Sequence, residues 1–133
     1  LKLQSEESLA DAAVSAKDAF LKKTRRIDRP KITLGDQTYT LEIHALTNKE
    51  LNTLIDEHPA RKNNDEDKPY GYNRTTLPPA LFAMSVKDPQ MTREEWEQVW
   101  ISPEWSPGEL SHLLDLVMST STRGFDVPFG ARS

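Results

Sequence analysis

Three times in this chain a serine or threonine is followed three residues later by glutamate, each time between apolar residues. The stretches are LTNKEL (46–51), MTREEW (91–96) and WSPGEL (105–110). Helices have few places where they can begin, and these are three of them. Thr47 with Glu50, Thr92 with Glu95, and Ser106 with Glu109 have the spacing of a capping box. The hydroxyl accepts the amide hydrogen three residues on, and the glutamate accepts the cap's own. The flanking pairs Leu46/Leu51, Met91/Trp96 and Trp105/Leu110 occupy the positions of a hydrophobic staple. Pro107 falls at the first helical position, where its missing N–H costs nothing. Helices are therefore expected over roughly 48–58, 93–101 and 107–121. In each, the apolar stripe starts at the fourth helical residue and continues at the seventh and eighth: Leu51, Leu54, Ile55; Trp96, Val99, Trp100; Leu110, Leu113, Leu114. The caps are unequally spaced, so no repeat links them.

Around this frame the remaining segments read as follows. A helix over 77–87 begins after Thr75 or Thr76, since Pro78 and Pro79 fit only a first turn. It turns Leu77, Ala80, Leu81 and Met84 inward and stops at Asp88-Pro89. KITLGDQTYTLEI (31–43) alternates apolar and polar residues on both sides of Gly35-Asp36 and reads as a β-hairpin. Residues 6–26 have a thin stripe of Leu9, Ala13, Ala16 and Phe20 at helical spacing. The expected architecture is mainly α: a small helical domain with a short β-hairpin before the core helices. It divides into an N-terminal helical arm with a basic end (1–30), a helical core with its hairpin (31–122) and a C-terminal docking tail (123–133). The three boxed helices are expected to pack together as one core with the hairpin at its edge.

The chemistry is sparse. The 133 residues carry a formal charge of −4 and no cysteine. That excludes disulfides, thiolate metal sites and cysteine nucleophiles, and the charge does not mark the chain as a polyanion binder. No apolar run approaches the roughly 20 residues of a membrane helix. Phosphate-binding glycine loops, zinc-protease helices, nucleophile elbows and calcium loops are all missing. No catalytic residue, metal ligand or cofactor is expected, and the chain reads as a non-enzyme. Of the histidines, His58 reads as a basic side chain at a helix C-terminus, and His112 as a surface residue. NNDEDK (63–68) lacks the glycine and bidentate glutamate of a calcium loop and reads as solvated. The basic run KKTRRIDRPK (22–31) has two readings, a solvated or protein-binding segment and a phosphate-contacting one; the absence of interleaved aromatics favours the first.

Trp96, Trp100 and Trp105 fall within ten positions. Trp96 and Trp100 read as core and Trp105 as a staple residue, and their clustering makes all three candidates for a partner-binding groove. In the tail, Phe125, Val127 and Phe129 alternate around Pro128, so an extended chain places all three on one side. They are expected to dock, either on the chain's own helices or on a neighbour.

The segment from Lys31 to Phe129 resembles the tail assembly chaperones of long-tailed, siphovirus-type phages of actinobacteria, in their short, non-frameshifted form. The resemblance rests on ITLGDQTYTLEIHALTNKEL, on YNRTTLPPALFAMSVKDPQMTREEW, and on WSPGELSHLLDLVMSTSTRGFDVPF. It covers about three quarters of the chain and consists of capping and packing residues. It implies a non-enzymatic viral protein of the host cytoplasm, absent from the mature virion. Such a protein binds the tape measure protein and keeps it soluble while the tail tube assembles. A longer frameshifted form would bring in the tail tube protein, and a homo-oligomer is compatible with it. Neither membrane nor nucleic acid is an expected partner. The competing readings are a structural head–tail adaptor of the virion and a small nucleic-acid-binding regulator.

Overall fold

The computed structural model describes residues 15–125. Residues 15–21 form helix α1, exposed along its described length, with Phe20 81% and Leu21 76% accessible. The other elements are β1 (Ile27–Asp28), β2 (Lys31–Leu34), β3 (Gln37–Thr40), β4 (Glu42–His44), α2 (Asn48–Glu57), α3 (Leu77–Ser85), β5 (Val86–Asp88), α4 (Arg93–Ile101) and α5 (Pro107–Thr122).

All three capping boxes form with both of their bonds. The Thr47, Thr92 and Ser106 hydroxyls accept from the amides of Glu50, Glu95 and Glu109 at 3.1, 3.2 and 3.2 Å. The glutamates accept in return from the cap amides at 2.8, 2.9 and 2.8 Å. Helices α2, α4 and α5 thus start where local chemistry allows them to.

The core has a different centre. Helix α3 has no side-chain cap, and Leu77, Pro78, Pro79, Ala80, Leu81, Phe82 and Ser85 are all buried. Its apolar residues are not confined to a stripe, so it can be stable only in an interior. Helices α2, α4 and α5 each pack on α3. The expectation that the boxed helices pack together as one core is corrected: they surround a fourth helix. Phe82 is the hinge of this packing, 5.2 Å between ring centroids from Trp96 and 5.9 Å from Trp100.

The expectation of a mainly α fold is also corrected. The protein is α+β, with two small antiparallel sheets. One is the hairpin β2–β3, pairing Lys31 with Thr40 and Leu34 with Gln37. Gly35 has φ +66°, as a two-residue loop with glycine first requires. The other sheet has the order β1-β4-β5 and pairs Ile27 with His44 and Ile43 with Val86. Ile43 and Val86 are completely buried, so this sheet supplies one wall of the core. Three sequence readings change with it. The hairpin ends at Thr40, and residues 42–44 leave it for the other sheet. Helix α3 stops at Ser85, and 86–88 are a strand. The segment 23–26 is not helical, and it leads into β1. Strands of two or three residues are too short to display a period.

The basic run is part of this framework. Arg25 pairs with Glu50 and Arg29 with Glu42, each at 3.2 Å. Arg26 donates to the carbonyls of Arg123 and Gly124, both at 2.9 Å, and so satisfies chain leaving the end of α5. Asp28 accepts from the Thr120 hydroxyl at 2.8 Å and from Arg123 at 3.2 Å. All three arginines of the run are engaged within the protein.

Candidate functional site

The hairpin's two faces differ. Antiparallel register puts Ile32 opposite Tyr39 on one face and leaves Lys31, Thr33, Thr38 and Thr40 on the other, where the Thr33 and Thr38 hydroxyls are 3.2 Å apart. On the apolar face only Ile32 packs against the core. Leu34 is 41% and Tyr39 50% exposed. Between that face and the helices lies a trough of about 440 Å³, walled by Ile32, Leu34, Tyr39, Leu41, Pro89, Met91, Trp96, Val99, Trp105 and Leu113. Asp88 is the one charged residue in its lining. A second hollow of about 370 Å³ lies between β2 and α5, beside Gly108, His112 and Leu116. The two share Ile32, Leu34, Trp105 and Leu113. The trough is an open, mostly apolar surface, and the ionisable side chains Lys31, Glu109 and His112 lie in the second hollow. The Trp96 indole N–H is buried with no acceptor among the described residues, an arrangement that costs about 1–3 kcal/mol.

The loop 59–76 is built around Asp67. NNDEDK was expected to be solvated, and its other residues are at or near the surface, but the Asp67 side chain is fully buried. Its carboxylate accepts from the Arg61 amide at 2.9 Å, from the Arg61 guanidinium at 2.8 and 3.0 Å, and from the Arg74 amide at 3.1 Å. The Arg61 guanidinium beside it holds the Asp67 carboxyl far below the usual carboxylate range. The Asp67 carbonyl accepts from the amides of Tyr70 and Gly71, and Gly71 takes φ +76° to make the turn. His58 is corrected as well. It ends α2, but it is buried with Nδ1 2.9 Å from the Thr76 hydroxyl. Burial lowers its pKa, which favours the neutral ring over the charged helix-end residue expected.

The residues singled out from the sequence separate spatially. Trp96 and Trp105 line the trough beneath the hairpin. Trp100 lies half-buried in a different hollow, shared with Trp105 and Arg74. Phe125 is 78% exposed at the end of α5; Val127 and Phe129 lie outside the described residues. The capping residues Thr47, Glu50, Thr92, Glu95, Ser106 and Glu109 sit at helix starts, away from the trough except that Glu109 borders the second hollow. Sequence reasoning missed the contribution of Ile32, Leu34 and Tyr39. Their alternation was legible; that Leu34 and Tyr39 would stand off the core was not. It also missed the Arg61–Asp67–Arg74 cluster, because irregular backbone has no spacing rule that brings such residues together. Among the described residues no group of three or more histidines or carboxylates could hold a metal ion, and no helix is long and apolar enough to cross a membrane.

Comparison with protein-family models, with curated proteins and with solved structures returns no match.

Proposed function

We propose that this protein is a non-enzymatic tail assembly chaperone of a long-tailed phage, acting in the host cytoplasm by holding apolar helical segments of the tape measure protein. The observation that carries this reading is the open trough under the hairpin. Its lining is ten apolar or aromatic residues, Thr40 and a single carboxylate, which suits the apolar face of a helix. The resemblance along 31–129 supports the same reading. The nucleic-acid alternative is the less favoured reading, since Arg25 and Arg29 pair with Glu50 and Glu42 and Arg26 is bonded to the carbonyls of Arg123 and Gly124. A tail tube protein recruited through a longer form, and self-association, belong to the same proposal.

Co-expression with tape measure fragments tests it. The fragments should become soluble and elute with the protein on a sizing column. Tryptophan emission should shift as Trp105 is covered. Leu34→Asp, at an exposed hairpin position, should weaken the complex at least about tenfold without unfolding the protein. Fragments that stay insoluble, or a complex indifferent to Leu34→Asp, would sink the reading.

A further inference from the structure

A second surface, on the other side of Trp105, has a different composition. A hollow of about 330 Å³ is lined by Arg74, Trp100, Ile101, Trp105, Pro107 and Leu110, with Ser102 and Ser111 at its side. Arg74 is its only charged residue. Glu104 and Glu109, which adjoin Trp105 and Leu110 in sequence, are not in the lining. The Arg74 guanidinium carbon sits 4.1 Å from the centre of the Tyr70 ring and makes no ion pair with any carboxylate among the described residues. Ile101 is 76% and Tyr70 52% exposed.

We propose that this hollow is a docking surface for a segment of another protein that presents a carboxylate side chain beside a large apolar one. Three observations converge on that partner. The first is charge: a guanidinium with no carboxylate partner among the described residues is the one charged group of a largely aromatic and apolar hollow, so the complementary group is an anion. The second is rigidity. The Asp67 cluster fixes the loop from both sides through the Arg61 guanidinium and the Arg74 amide. The backbone at Arg74 is therefore in place before binding, which lowers the ordering cost, and the guanidinium rests over the Tyr70 ring rather than ranging freely through solvent. The third is composition. Two tryptophans and an arginine share the hollow with an exposed isoleucine, and tryptophan and arginine are enriched at the energetic centres of interfaces. Phosphate recognition on peptides uses clusters of arginine, and only one is present here. The cluster also explains why a polar loop buries a charged residue at all: it builds a platform.

Selection from a random displayed peptide library against the full chain decides the matter. The Arg74→Gln variant keeps the amide that Asp67 holds, so the loop is retained, and circular dichroism checks this. Enriched peptides should carry Asp or Glu within one helical turn of Leu, Ile, Met, Phe or Trp. They should bind at least about tenfold more weakly to the Arg74→Gln and Ile101→Asp variants. Leu34→Asp, in the hairpin trough, should leave them unaffected. Arg74→Lys should restore only part of the affinity, since an ammonium lacks the fork. Peptides without acidic bias, equal binding to the Arg74→Gln variant, or no peptide that is lost with Ile101→Asp would each overturn the proposal.

Discussion

Helix α3 and the three helices around it are held in opposite ways. Helices α2, α4 and α5 begin at complete capping boxes, and each shows water a polar face. Helix α3 starts on two prolines with no side-chain cap, yet it is the most deeply buried helix of the four. A cap is a local device. It fixes where a helix starts and contributes about 1 kcal/mol. Burial is a collective one, worth roughly 1.5–3 kcal/mol for each large apolar side chain removed from water. The element with the weakest local signals can therefore be the one that organises the rest.

The largest expected effect follows from the centre of that packing. Phe82→Ala should cost about 3–5 kcal/mol in urea unfolding, because it leaves a cavity against both Trp96 and Trp100. A loss as small as that of a cap variant would mean α3 is not the hub. By contrast, Thr92→Ala and Ser106→Ala should each cost about 1 kcal/mol, with the helix fraying from its start. Stability equal to the parent would show those boxes to be idle in solution.

Arg26→Gln should be milder still, at most about 1 kcal/mol. It removes two exposed bonds to carbonyls beyond the end of α5. Amide exchange should quicken around 119–124 and not at α3. A pH titration sharpens the contrast further. The amide of Thr47 holds Glu50 below its usual value, and the amide of Ser106 does the same for Glu109. A carboxylate lowered on folding stabilises fully above its unfolded pKa, here near 4.5. That contribution is lost as pH falls through the folded value. Amides at the starts of α2 and α5 should thus lose protection first below about pH 4.5, while those of α3 persist. The Asp67 loop should hold to lower pH than either box, because Arg61 keeps its carboxylate ionised further down. If the loop opened before the boxes, the role given to the Arg61–Asp67 pair would be wrong.

The sequence by itself determined the beginnings of α2, α4 and α5, the turn of the hairpin at Gly35-Asp36, and the inward stripes of those three helices. Each depends on residues within about eight positions of one another, and local sterics and hydrogen bonds act at that range. Met84 of α3 and Phe20 of α1, also read as stripe residues, are exposed. Tertiary structure alone decided four things: the central place of α3, the sheet that joins Ile27, Ile43 and Val86, the burial of Asp67, and the gap beneath the hairpin. The two- and three-residue strands of that sheet exist because partners 15 to 46 positions apart along the chain supply their hydrogen bonds. The trough exists because Leu34 and Tyr39 meet helices that begin more than fifty residues later and do not fill the space. The candidate site was legible as a set of aromatic and apolar residues. Which of them face one another depends on where distant elements cross, and no spacing along the chain records that.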